Sequence, residues 1–181
     1  DGTSRKRFLF PRWSNLAPTV IAAALTGAVI FIVFAFSYWG SPKFTDAGYM
    51  PDQPVDYSHK LHAGDMGMDC RYCHSTVEKS SFAAVPPVQT CMNCHWKVKT
   101  NSLKLLPVRE AYAEDKPLKW VKIHRLPDYV YFDHSAHLNA GVGCSTCHGR
   151  VDQMPKVYQF APLSMSWCLD CHRNPAPNLR D

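Results

Sequence analysis

One long apolar run dominates the hydrophobic pattern at the start of the chain. From about Leu16 to Tyr38 no residue is charged. The hydrocarbon core of a membrane is about 30 Å thick and needs about 20 apolar residues in a helix, so the run predicts a membrane-crossing helix over residues 16–39. Trp13 lies before the run, and Tyr38 and Trp39 close it, as expected for aromatic residues at the two membrane interfaces.

Two other interpretations of the run are a cleaved signal peptide and a buried helix of a soluble protein. The apolar part of a signal peptide is typically about 7–15 residues long. This run is longer, so we favour an uncleaved anchor. Cytoplasmic flanks carry an excess of Lys and Arg, which predicts that residues 1–15 are cytoplasmic and that everything after Gly40 lies outside. The basic residues before the run are Arg5, Lys6, Arg7 and Arg12.

After the anchor the chain is rich in residues that interrupt helices and strands. The sequence contains 14 prolines and 9 glycines, which fits loops and short helices better than a regular sheet or bundle. Residues 40–56 are predicted to be an irregular tether. Residues 96–131 are predicted to be a linker with one short helix near 105–114, and their positive excess favours a solvated surface over a docking site for an acidic partner.

The eight cysteines all belong to four copies of C-x-x-C-H, at residues 70–74, 91–95, 144–148 and 168–172. This spacing is the attachment signature of c-type haem: two thiols form thioethers with the vinyl groups, and the adjacent His takes an axial position on iron. Zinc sites favour paired C-x-x-C without a regular trailing His, and thioredoxin-like sites sit in an alternating strand–helix pattern.

The motifs therefore predict four covalent haem c groups. Their attachment residues are Cys70, Cys73, Cys91, Cys94, Cys144, Cys147, Cys168 and Cys171, and their proximal iron ligands are His74, His95, His148 and His172.

An internal repeat predicts two dihaem modules, at residues 57–95 and 132–181. Each begins with an aromatic residue, a His-x-x-His pair and the first of its two motifs. Residues i and i+3 of a helix lie on the same face, yet a haem iron has only one axial position on each side of the macrocycle, so it cannot bind both histidines from the same side. Each pair is therefore expected to serve two different haems, which would make all four haems bis-His. The predicted distal ligands are His59, His62, His134 and His137.

Two further residues are possible ligands. His124 lies outside the repeat, and Met154 follows the third motif. A thioether ligand raises the haem potential relative to a second imidazole, so the choice would matter for electron flow. For a methionine, packing is the more common role.

Size and charge agree with this interpretation. From Ser41 onward only 141 residues remain for four haems, so the haems themselves are expected to form the core. The formal net charge of +5 omits the haem propionates, and nothing in the sequence suggests nucleic-acid binding. The predicted fold class is a mainly α and irregular multihaem cytochrome c, with one transmembrane helix and a haem-cored periplasmic domain.

Four stretches resemble the multihaem cytochrome c subunit of bacterial alternative complex III. They are YSHKLHAGDMGMDCRYCH (57–74), FDHSAH (132–137), residues 119–128 and residues 167–175. The similarity covers most of the chain, including the anchor. The resemblance implies a quinol-oxidising complex in the cytoplasmic membrane of a bacterium. Its implied partners are polytopic quinone-binding subunits, an iron–sulfur subunit, a monohaem cytochrome c, and a mobile periplasmic carrier or terminal oxidase.

The chain departs from that family in one respect. Family members are commonly pentahaem, and only four C-x-x-C-H motifs occur here. A fifth haem would lack two thioethers, and His124 and Met154 would then become candidate ligands. Two other functions stay open: a freestanding tetrahaem quinol dehydrogenase that feeds periplasmic reductases, and a substrate-reducing multihaem enzyme with a five-coordinate haem. The sequence favours an electron-transfer subunit that is not an enzyme on its own.

Overall fold

The computed structural model describes residues 10–180. It divides into two units, Asp1–Phe44 and Thr45–Asp181. Arg5, Lys6 and Arg7, on which the predicted cytoplasmic N-terminus largely depends, lie outside the described residues.

The first unit is built around one long helix. A 3-10 turn, Arg12–Leu16, leads into α1, Ala17–Trp39. Pro18 stands in the first turn of α1, where its missing N–H costs nothing. The 23 residues of α1 span about 35 Å. Within residues 10–180, this is the one helix long and apolar enough to cross a membrane, judged by length and composition.

The second unit consists of short helices and irregular segments. Its described residues contain no β-strand, and one isolated antiparallel β-bridge joins Val142 to Leu179. A short helix at the boundary, α2, spans Pro42–Thr45. The later helices are α3 (Cys70–Cys73), α4 (Val88–His95), α5 (Leu106–Ala113), α6 (His134–Asn139), α7 (Cys144–His148) and α8 (Met165–Arg173), with a π-helical turn at Lys60–Asp65 and 3-10 turns at Leu103–Leu105, Val151–Gln153 and Ala176–Asn178.

A small apolar core lies between α4 and α5. Val88 and Met92 of α4 pack there with Val108 of α5 and with Val55. Helix α5 is the short helix expected near 105–114, and through it the segment predicted as a linker contributes to the core. The partly buried neighbours of this cluster are Cys91, Leu105, Ala111, Leu118 and Trp120.

The later half of the predicted tether is bound to the rest of the second unit. Gln53 donates to the carbonyl of Val121 and accepts from its N–H, both at 2.9 Å. Asp56 forms an ion pair with Lys104 at 2.8 Å. These contacts hold the chain just before the first His-x-x-His pair.

The two repeats interlock. The Lys60 N–H donates to the carbonyl of Met154, and the equivalent Ser135 N–H donates to the carbonyl of Ser80. Each His-x-x-His segment therefore contacts the stretch that follows the first haem motif of the other repeat. A Cβ at residue 64 would collide with the carbonyl of Asp152. Only glycine therefore allows the segment after the first His-x-x-His pair to lie this close to residues 152–154.

Candidate haem-binding centres

Each of the four C-x-x-C-H motifs begins on a short helix or turn. Asp69 caps α3, which carries the first motif, by accepting from the Arg71 N–H at 2.8 Å. Ser164 caps α8, which carries the fourth, by accepting from the Trp167 N–H. Residues three apart on a helix lie on the same side, so each motif presents its two thiols together. All eight cysteines are among the described residues, and none forms a disulfide.

Three proximal histidines each face a histidine of a His-x-x-His pair. The ring centroids are 6.2 Å apart for His62 and His95, and 6.3 Å apart for His134 and His148. The separation of His137 and His172 is 5.9 Å. A bond between a transition metal and an imidazole nitrogen is about 2 Å long. Two imidazoles on opposite sides of one iron therefore have ring centres about 6 Å apart, and all three pairs fit this spacing.

The hydrogen bonds of these rings leave one nitrogen for a metal. Nδ1 of His62 lies 2.9 Å from the carbonyl of Ser58, and Nδ1 of His137 lies 2.7 Å from that of Asp133. Because a carbonyl only accepts, each Nδ1 carries the proton and donates. Nε2 is then unprotonated, which is the tautomer that binds iron through Nε2. The same applies to three further histidines. Nδ1 of His74 contacts the carbonyls of Ala83 and Ala84. Nδ1 of His95 contacts the carbonyl of Val98, and Nδ1 of His134 contacts that of Ser81.

An aromatic residue orients both histidines of each pair. The Tyr57 ring lies 4.4 Å from the His62 ring at 24° and 4.8 Å from the His59 ring at 89°. Phe132 repeats this arrangement with His137 at 4.5 Å and 30°, and with His134 at 4.8 Å and 87°. The repeat includes these aromatic positions, but the sequence alone predicts no role for them. The feature of the sequence that marks them is their spacing. In both repeats the aromatic residue stands two residues before the first histidine and five before the second.

The fourth candidate pair is His59 with His74, the equivalents of His134 and His148. Burial lowers the pKa of His59 to about 4, and the charge of nearby His74 is the second cause. His59 is therefore neutral at neutral pH, as a metal-binding imidazole must be. Its Nδ1 is buried and has no hydrogen-bond partner among the described residues, whereas Nδ1 of His134 donates to Ser81.

His124, the histidine outside the repeat, contacts His148. Nε2 of His124 lies 3.1 Å from Nδ1 of His148, and the two ring planes cross at 86°. Burial lowers the pKa of His148 to about 3, and the charge of His124 is the second cause. Met154 is buried, with 6% of its surface exposed, and its carbonyl accepts from the Lys60 N–H.

The pKa shifts of the thiols indicate which motifs lie close together. Burial raises the pKa of Cys70 in the first motif, and Cys144 of the third motif adds to the rise. Burial raises the pKa of Cys91 in the second motif, and Cys73 of the first motif adds to the rise. Burial and then Cys171 of the fourth motif raise the pKa of Cys147 to about 11. Since Coulomb effects fall with distance, the first motif lies near the second and the third, and the third lies near the fourth.

Side chains alone bury little apolar surface. In the described part of the chain, seven apolar side chains are buried. This is few for a unit of this length, and it fits the expectation that haem forms the rest of the core. The seven are Val55, Val88, Met92, Val108, Met154, Ala161 and Leu163.

Comparison with known proteins supports the same interpretation. No protein-family model matches the chain. The chain is 35% identical over 174 residues to the multihaem cytochrome c subunit of menaquinone reductase from Nitratidesulfovibrio vulgaris strain Hildenborough. The match covers 84% of this chain and 81% of that protein. The chain therefore belongs to the family of multihaem cytochrome c subunits that this menaquinone reductase subunit represents.

Proposed function

We propose that the chain is a membrane-anchored electron-relay subunit with four covalent haem c groups, working in a quinone-linked membrane complex. The observation that carries the proposal is the presence of three histidine pairs, each spaced for two axial ligands of one iron. Haem c would supply one-electron redox chemistry at each centre. The residues of the chain hold the group in place, orient the ligands and set their protonation.

The proposed ligand sets follow the repeat. His62 and His95 serve the second motif, and His137 and His172 serve the fourth. His134 and His148 serve the third. By equivalence, His59 joins His74 at the first motif. Each His-x-x-His pair then serves the two motifs of its own repeat, which is the dihaem arrangement predicted from the sequence, although the two repeats interlock.

Two histidine ligands at each iron would leave no open position for a substrate, and the chain would then relay electrons rather than transform a molecule itself. The closeness of the second motif to the first, of the first to the third and of the third to the fourth supports a linear relay, with the second and fourth motifs at its two ends. Partner proteins would exchange electrons at these ends. His124 and Met154 are not needed as ligands for the four centres.

The proposed setting is a complex of the alternative complex III type. Helix α1 would anchor the chain in the cytoplasmic membrane, with residues 1–15 in the cytoplasm and the second unit in the periplasm. Polytopic quinone-binding subunits, an iron–sulfur subunit and a monohaem cytochrome c would complete the complex. A mobile periplasmic carrier or an oxidase would receive the electrons. The resemblance of residues 57–74 and 132–137 to that subunit supports this assignment.

A second direction of electron flow is favoured by the similar protein, which is a subunit of menaquinone reductase. In that case a periplasmic donor would feed the chain, and the complex would reduce quinone. The two directions are separated by adding either a menaquinol analogue or a reduced periplasmic cytochrome to the purified complex and following the haem absorption of this chain. Rapid reduction by the quinol supports quinol oxidation. Rapid reduction by the cytochrome alone supports quinone reduction.

The haem content tests the core of the proposal. Intact-mass analysis of the gently solubilised native protein is expected to show four covalent haems, and low-temperature EPR is expected to show only low-spin iron. A protein without covalent haem would refute the proposal. A high-spin, carbon-monoxide-binding centre would favour a substrate-reducing enzyme. Quinol oxidation by the chain separated from polytopic subunits would favour a freestanding quinol dehydrogenase.

A further inference from the structure

The two repeats differ in what holds the proximal histidine of their first motif. In the first repeat, Nδ1 of His74 lies 2.9 Å from the carbonyl of Ala83 and 2.8 Å from that of Ala84. In the second repeat, Nδ1 of the equivalent His148 lies 3.1 Å from Nε2 of His124. The His124 side chain, which lies outside the repeat, thus takes at His148 the place that two backbone carbonyls have at His74.

The segment that carries His124 is fixed by a buried glutamine. The N–H of the next residue, Arg125, donates to Oε1 of Gln159 at 3.0 Å. Gln159 has no exposed surface, and its Nε2 donates to the carbonyl of Ala161 at 3.1 Å. The Arg125 guanidinium also lies 5.5 Å from the centre of the Tyr49 ring. These contacts of the adjacent Arg125 therefore give His124 a defined position.

The direction of the hydrogen bond follows from the role of His148. An imidazole that binds iron through Nε2 carries its proton on Nδ1. His148 is then the donor and Nε2 of His124 is the acceptor. A partner that accepts this proton fixes the ring orientation and makes the ligand more basic, which favours oxidised iron. The acceptor is therefore expected to lower the potential of the centre.

We propose that His124 is a positioning residue for the third haem centre, which orients His148 and lowers the potential of the iron that His148 binds. The inference rests on the proposed function, since it requires His148 to be an iron ligand. His124 does not bind iron in this role, because its Nε2 is engaged by Nδ1 of His148. The first centre has carbonyl acceptors instead, so its potential does not depend on a side chain of this kind.

The test compares two substitutions of His124 in the full-length, haem-loaded chain. His124→Phe keeps the ring but removes the acceptor, whereas His124→Gln retains an acceptor oxygen. An EPR-monitored redox titration follows each low-spin signal separately. The signal of the third centre is identified beforehand as the wild-type low-spin signal that is lost in His134→Ala.

The midpoint potential of the third centre is expected to rise in His124→Phe and to lie closer to the wild-type value in His124→Gln, while the other centres keep their potentials. Equal shifts in both variants, or no shift, would overturn the inference. A high-spin third centre in His124→Phe would overturn it too, because His124 would then itself be a ligand. If His124→Phe fails to accumulate, His124→Asn, which is too short to reach Nδ1, must raise the potential.

The result is distinguishable from a failure of the proposed function. If His148 binds no iron, the wild-type chain lacks a low-spin signal that depends on His134. If the proposed function holds and only the inference fails, that signal is present and its potential is indifferent to the substitution of His124.

Discussion

The rings of His134 and His148 lie 6.3 Å apart with their planes only 7° from parallel. The planes of His62 and His95 cross at 66°, and those of the fourth-motif pair cross at 75°. Parallel imidazole planes separate the energies of the two iron d orbitals that interact with them, whereas crossed planes leave these orbitals close in energy. The third centre is therefore expected to differ electronically from the second and fourth.

Low-temperature EPR checks this difference directly. The oxidised protein is expected to show a rhombic low-spin signal from the third centre and strongly axial low-spin signals from the second and fourth. Substitution of a distal ligand assigns each signal to its centre. A strongly axial signal for the third centre would contradict the parallel arrangement of its two rings.

Removing a distal ligand should open one centre and spare its attachment. In His134→Ala the thioethers of Cys144 and Cys147 remain, so four covalent haems are still expected by mass. The third centre should become high-spin or bind a different ligand, and a high-spin centre should bind carbon monoxide when reduced. Ser135→Ala, in the same helix, is the matched control and should stay fully low-spin. An unchanged low-spin spectrum in His134→Ala would exclude His134 as a ligand.

The chemistry proposed for the site depends on residues that are close together in the sequence. Each C-x-x-C-H motif contains its own candidate attachment residues, and the four histidines of the two His-x-x-His pairs match the number of second axial positions expected for four haems. The helix near 105–114 was also predictable, since the described structure has it at Leu106–Ala113. Such features depend on residues close together in the chain.

The relation between distant segments could not be predicted in the same way. The contact of His124 with His148 joins residues 24 apart, and no local pattern marks it. The interlocking of the repeats depends on backbone hydrogen bonds such as that from Lys60 to Met154, which any residue type can make. The segment predicted as a linker joins the core through Val108, which is 2% exposed, because its apolar residues meet partners far away in sequence.

The aromatic residue before each His-x-x-His pair offers a matched test of ligand orientation. Phe132 has no hydroxyl and occupies the place of Tyr57 in the second repeat, so the ring rather than the hydroxyl is what packs on the histidines. Tyr57→Phe is expected to leave the EPR spectrum unchanged. Tyr57→Leu should broaden the signals of the first and second centres, because His59 and His62 lose the ring that orients them. A broadened spectrum in Tyr57→Phe would instead assign the role to the hydroxyl.

The residue after the third motif must be glycine. Gly149 has φ of +69° and ψ of −163°, a conformation that is essentially restricted to glycine. A Cβ there would also lie 2.6 Å from Cγ of Phe160. Gly149→Ala is expected to cost about 1–3 kcal/mol of stability, seen as a lower thermal midpoint of the haem-loaded protein.

Gly143, just before the same motif, provides the control. Its φ is −75°, and a Cβ there would meet Oγ1 of Thr146 at 3.8 Å, an ordinary van der Waals distance. Gly143→Ala is expected to cost no more than about 1 kcal/mol. Equal losses in the two variants would show that the backbone conformation of Gly149 is not the cause.

The buried amide of Gln159, which contacts three backbone groups, is expected to matter more for stability than the amide of Gln53 at the surface. Gln159→Leu would leave the Arg125 N–H and the Ala161 carbonyl without their partner, next to a side chain that has no exposed surface. Each unpaired buried group costs about 1–3 kcal/mol. Gln53 pairs with two backbone groups, both of Val121, at the surface, where water can replace the side chain. Gln53→Leu should therefore lower the thermal midpoint less than Gln159→Leu.

Because Gln159 holds the residue next to His124, Gln159→Leu should also shift the potential of the third centre, which Gln53→Leu should leave unchanged.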